Sequence, residues 1–125
     1  MSPRPEFGKA LRAALVARFP APTRVAISET PSDLSGTVIV VDRIVGGDST
    51  RLDYPVVDID VFAPTLPAAL DVAEQVRDFV RFGLPGLTVN GVTFTDVTTT
   101  SGPSLAPYPN TNTRRIIATY RFAVH

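Results

Sequence analysis

The chain has no cysteine, no tryptophan and a single histidine, His125, at its last position. Without cysteine there is no disulfide framework, no thiol nucleophile and no cysteine-ligated metal or cluster. One histidine rules out a two-imidazole site within a subunit, and its terminal place gives no basis for a Ser-His pair on ordered structure. Ser35, Ser101 and Ser104 therefore have no base in view. Net charge is also lacking: twelve basic and twelve acidic residues cancel. No global field then draws in nucleic acid or anionic lipid. No run approaches the roughly 18 apolar residues of a membrane span. The first apolar stretch, Ala10 to Phe19, is interrupted by Arg12 and Arg18 and lacks a cleavage-type tail, so it does not read as a secretory signal. These absences lead to the expectation of a soluble protein made in a cytoplasm, with no cofactor, no metal, no membrane partner and no catalytic residue.

What is present is 125 residues that are 44% hydrophobic, enough for one domain over 1–125 with a buried core. Twelve prolines and eight glycines punctuate it. Phe7, Leu11, Ala14, Leu15 and Phe19 recur at helical spacing, with Pro5 suited to a first turn and Pro20 and Pro22 ending the helix. Ala21 to Pro31 is indistinct, with a short strand at Val25 to Ser28. Thr37 to Val45 is β-branched, and the unbroken run Val38 to Val41 predicts a strand covered on both faces. Gly46, Gly47 and Asp48 break it, and the segment to Asp53 reads as a polar loop. Tyr54 to Phe62 alternates, with Val57, Ile59 and Val61 on one face and Asp58 and Asp60 on the other.

Pro64 closes that strand, and Thr65 is placed to cap a helix running to about Phe82. Its expected apolar stripe is Leu66, Ala69, Leu70, Ala73, Val76 and Val80. Gly83 and Pro85 stop it. Thr88 to Thr100 is β-prone, with a tight turn at Asn90-Gly91. Ser101 to Thr113 reads as a broken polar loop. Arg114 to Val124 is the last strand, with Ile116, Ala118, Tyr120, Phe122 and Val124 on its apolar face. The expectation is an α+β fold, two helices packed on one face of a four- to five-stranded mainly antiparallel sheet. Two helices cover only one face, yet Val38–Val41 call for two. Either a neighbouring subunit or a loop of the same chain must cover the other.

The chemical constellations are sparse. Asp58 and Asp60 share a strand face and could hold a divalent ion, which would make a small metal-dependent hydrolase; the plainer reading pairs them with an arginine such as Arg121 or Arg43. Gly46-Gly47-Asp48 lacks the lysine, the hydroxyl and the helix of a phosphate loop. Arg114 and Arg115 either meet a partner's carboxylates or nucleic acid, or guard a strand edge. Tyr108, held between Pro107 and Pro109, is either an interface anchor or a plug over the core.

The segment Val56-Val57-Asp58-Ile59-Asp60-Val61-Phe62-Ala63-Pro64-Thr65, followed at once by an alanine-rich amphipathic helix, resembles the strand-to-helix junction of tail terminator proteins of long-tailed bacteriophages, especially those of actinobacteria. Gly102-Pro103, Pro107-Tyr108-Pro109, Arg114-Arg115 and Ala118-Thr119-Tyr120-Arg121 resemble that family's C-terminal signature. The resemblance covers roughly residues 37–82 and 101–124. It implies a virion structural protein at the neck, the head-proximal end of the tail. Its partners would be itself, in a ring that is commonly a hexamer, the major tail tube protein, and the head-completion (stopper) protein. DNA would cross the lumen without sequence-specific binding. The candidate interface residues are then Gly46, Gly47, Asp48, Arg51 and Asp53 in one loop, and Pro107, Tyr108, Pro109, Asn110, Arg114 and Arg115 in and beside the other. Asp58, Asp60 and Arg121 are candidates for ion pairs that fix packing within the ring. A stopper protein or a non-viral binding module fits the same pattern less specifically.

Overall fold

Pro20 and the Arg4–Pro5 start frame the first helix, α1 (Arg4–Arg18), whose buried side is Phe7, Ala10, Leu11, Ala14 and Leu15. The computed structural model describes residues 4–27, 29–45, 54–108 and 112–125. The first strand, β1 (Arg24–Ile27), runs parallel to β2 (Val38–Val45). β2 turns back antiparallel into β3 (Val56–Ala63), with Val38 opposite Phe62 and Val45 opposite Val56. The β2–β3 connection, Gly46 to Asp53, lies outside the described residues.

Thr65 caps α2 (Leu66–Asp78) as expected: its extended backbone lets its hydroxyl accept from the Ala68 amide at 3.3 Å, and Pro67 occupies the first turn, where a missing N–H costs nothing. The helix then widens into a π turn, Phe79–Gly83, closed by the Leu84 amide donating to the Phe79 carbonyl at 2.9 Å. Gly83 belongs there because the Phe79 ring stands 2.7 Å from where a Cβ would be. β4 (Thr88–Val89) and β5 (Val92–Ala106) form a hairpin through Asn90 and Gly91, at φ 49° and 80°. Positive φ at both central residues is what such a two-residue turn requires. β6 (Arg114–Val124) is the last of the described strands.

The sheet order is β1-β2-β3-β6-β5-β4. Six strands rather than four or five, and a mixed rather than mainly antiparallel sheet, correct the expectation: the indistinct Ala21–Pro31 segment supplies a parallel edge strand, and β4 is too short to read from pattern. A further correction concerns Ser101–Thr113. β5 continues to Ala106 by absorbing its glycine and proline in register shifts between Thr99 and Ser101 and between Ser101 and Ser104. The irregular segment therefore starts only at Pro107.

Both helices bury their apolar sides in one core on one face of the sheet. α1 touches β1 and β2 at one edge and β4 and β5 at the other, so the sheet curls around it. Phe7 packs on Phe122 and Phe94, with ring centroids 5.3 and 6.1 Å away. The stripe of α2 is narrower than expected: Ala69, Ala73, Val76 and Val80 are buried, while Leu66 and Leu70 are 36% and 40% exposed.

The other face of β2 is covered from within the chain. Val38, Val40 and Phe62 are buried beneath Leu34, with Ala26 and Tyr108 alongside. Arg24 holds the covering loop, donating to the carbonyls of Asp33 and Ser35 at 2.9 and 2.7 Å. The Ser35 amide donates in turn to Asp33 Oδ1 at 2.9 Å, and this bond holds the Asp33 carboxyl below the usual carboxylate range. Of the two ways to cover Val38–Val41, the loop is the one observed.

Candidate assembly surface

Strand alternation sends Asp58, Asp60 and Phe62 to the face away from the helices, together with Arg115, Ile117, Thr119 and Arg121 of β6. The register sets Asp58 opposite Thr119 and Asp60 opposite Ile117. The Thr119 hydroxyl donates to Asp58 Oδ1 at 2.7 Å. Arg115 reaches diagonally, and its Nε and Nη2 donate to Asp60 Oδ2 at 3.1 and 2.9 Å. Asp60 is 1% exposed and its Oδ1 has no hydrogen-bond partner. Burial raises the Asp60 carboxyl above its ordinary range; Arg115 opposes this, and Asp42 and Asp58 add to it.

Within the chain, the arginine that meets Asp60 is therefore Arg115, not Arg121. Arg121 is equally diagonal to Asp58, but its guanidinium lies over the Tyr54 ring, 4.8 Å from the centroid. The side chain of Arg43 lies outside the described residues. No group of three or more metal-ligating side chains occurs among the described residues.

β6 lies between β3 and β5, so Arg114 and Arg115 do not guard a sheet edge; they open an interior strand. They line a cavity of about 420 Å³ with Leu105, Ala106, Pro107 and Tyr108, floored by Thr113. Thr113 is buried, and its hydroxyl donates to the Ala63 carbonyl at 3.3 Å. Tyr108 stands edge-on to Phe62 with centroids 5.2 Å apart. The structure thus brings four of the sequence candidates, Pro107, Tyr108, Arg114 and Arg115, into one concave surface. Asp58 and Asp60 sit on the adjoining sheet face. Gly46, Gly47, Asp48, Arg51, Asp53, Pro109 and Asn110 lie outside the described residues. Sequence reasoning missed Leu105, because its segment reads as loop, and the outward-facing Leu66 and Leu70, because helical spacing alone assigns them to the core.

No helix among the described residues is long and apolar enough to cross a membrane. No family model and no curated protein matches the chain. The fold has solved counterparts. A chain described as "Virion of native gene transfer agent (GTA) particle" superposes with a TM-score of 0.65 at 18% identity, over 93% of this chain and 95% of that one. The chain shares the fold of a virion component. A second solved chain superposes with a TM-score of 0.60 at 18% identity, over 98% of this chain and 92% of that one. At this identity the likeness speaks for the fold: two helices against a curled, mixed six-stranded sheet.

Proposed function

We propose that the protein is a virion structural protein of a phage-like particle, acting as a tail terminator. In this reading copies of the chain close a ring on the finished tail tube, stop its polymerisation and offer a surface to the head-completion protein. The observation that carries the proposal is the near full-length correspondence of fold with a chain of a gene transfer agent virion. The ordered resemblance of residues 37–82 and 101–124 to tail terminators supports the narrower assignment. A neutral chain suits a ring whose lumen DNA must cross without sticking.

Termination is a competition for one interface. The ring must match the last ring of the tube on one side and present no such match on the other. Pro107 and Tyr108, which line the cavity with Arg114 and Arg115, are candidates for one of these contacts, and the Gly46–Asp53 loop is a candidate for the other. Asp58 and Asp60 act in packing and not in catalysis. The test is removal of the gene followed by electron microscopy of the particles. The terminator reading expects tails of uncontrolled length that fail to join heads. Tails of normal length with unsealed heads would point to a stopper, and particles that never contain this chain would end the virion assignment.

A further inference from the structure

β1 and β2 are neighbours and run parallel, so the chain must travel back along β1 before β2 can begin. A helix usually makes such a return. Here residues 29–36 make it with neither helix nor strand, crossing the sheet face opposite α1 and α2, over Val38, Val40 and Phe62.

The crossing is lightly held. Leu34 is the one buried side chain in residues 29–36; Pro31 is half-buried and the rest are exposed. Two hydrogen bonds tie the segment to the sheet, both at exposed positions and both from Arg24 Nη2, to the carbonyls of Asp33 and Ser35. These carbonyls flank Leu34, so one guanidinium sets where the leucine sits. At the far end Gly36 has φ 73°, a conformation that costs a larger residue, and nothing lies within 4 Å of where its Cβ would be. The ground beneath is firm by contrast. Val38 and Val40 are 0% exposed, and β2 is hydrogen-bonded on both sides, to β1 and β3. One apolar anchor and exposed hydrogen bonds place a segment at the low end of local stability; a strand paired on both sides lies at the high end.

We infer that residues 29–36 are a strap that opens as a unit while the rest of the fold stays closed, with Arg24 as its latch and Gly36 as its pivot. Opening bares Val38, Val40 and Phe62. The chain thus has a second, more apolar surface state that it reaches without unfolding. The inference does not depend on the ring.

The natural lack of cysteine makes the test direct. Val40 and Val41 are adjacent on β2 and equally buried, but Val40 lies under the strap and Val41 faces the helices. Val40→Cys and Val41→Cys are made singly and labelled with a thiol reagent in native buffer, each rate being divided by that of the unfolded variant. Labelling of Val40→Cys should be at least tenfold faster. Equal rates would mean that both faces open only with the whole fold and would overturn the strap. Val38→Cys reads the same face should Val40→Cys fold poorly. Arg24→Met is then added to each variant. Loss of both latch bonds should speed labelling about tenfold in the Val40→Cys background and leave the Val41→Cys background unchanged. Gly36→Ala should act in the same one-sided way through its strained φ. If Arg24→Met sped both backgrounds alike, or neither, Arg24 would not be the latch.

Discussion

Arg115 engages Asp60 through one carboxylate oxygen only: both Nε and Nη2 converge on Oδ2, and the buried Oδ1 has no partner. Asp60 is enclosed, whereas the Arg115 side chain is 29% exposed. The two members of the pair therefore depend on each other unequally. Arg115→Met leaves a carboxylate enclosed without a cation and should cost about 2–4 kcal/mol, somewhat below a wholly enclosed pair. Asp60→Asn should cost less, because Arg115 can turn to water. Urea unfolding of both variants and of the double variant gives the coupling energy.

The same pair sets a pH dependence. Burial raises the Asp60 carboxyl above its unfolded value of 3.8. Between that value and the raised one the folded chain holds more protons than the unfolded chain, so this group's contribution to stability falls as pH rises through the window and is regained on acidification. Stability measured from pH 7 down to pH 4 should therefore shift in favour of the unaltered chain relative to Asp60→Asn. A difference that stays flat would count against a strained carboxylate.

Tyr120 carries the alkaline counterpart. It is 1% exposed, and burial pushes its phenol up to about 12 from 10.0. Between these values the unfolded chain releases the proton and the folded chain keeps it, so stability falls as pH rises through that interval, by about 2–3 kcal/mol at most. Tyr120→Phe should flatten that slope while leaving the neutral-pH melting temperature close to its original value.

Leu34 tests the cover over β2. It is the buried apolar residue of the loop that lies on Val38, Val40 and Phe62. Leu34→Ala should cost about 2–3 kcal/mol. It should also raise binding of an apolar dye, as the outer face of β2 opens to water. If a neighbouring copy were the true cover, the isolated chain would tolerate the change.

How much of this was readable in advance follows from the range of the forces involved. α1, the Thr65 cap, the Asn90-Gly91 turn and the two-faced burial of Val38–Val41 follow from local stereochemistry and period, and each is found. The pairing of Asp60 with Arg115 was not readable, because it depends on the register: once β3 and β6 are paired, Arg115 stands diagonal to Asp60, whereas Arg121 stands diagonal to Asp58 and lies over the Tyr54 ring. The extent of β5 was hidden for a related reason: glycine and proline in Ser101–Ser104 look like a loop until bulges let them stay in the sheet. Leu66 and Leu70 share the helical period of the core, so period alone could not show that they face outward.

β6 is translated after the other described strands and yet lies between β3 and β5, paired with both along most of its length. Until it emerges from the ribosome, β1–β3 and β4–β5 are two separate fragments with no strand joining them. Synthesis interrupted before residue 114 thus leaves two open edges and a core without Ile116, Ala118, Tyr120, Phe122 and Val124 in the nascent polypeptide, a form suited to chaperone capture or proteolysis. The order of the described strands thus couples completion of the core to β6, which joins two fragments made before it.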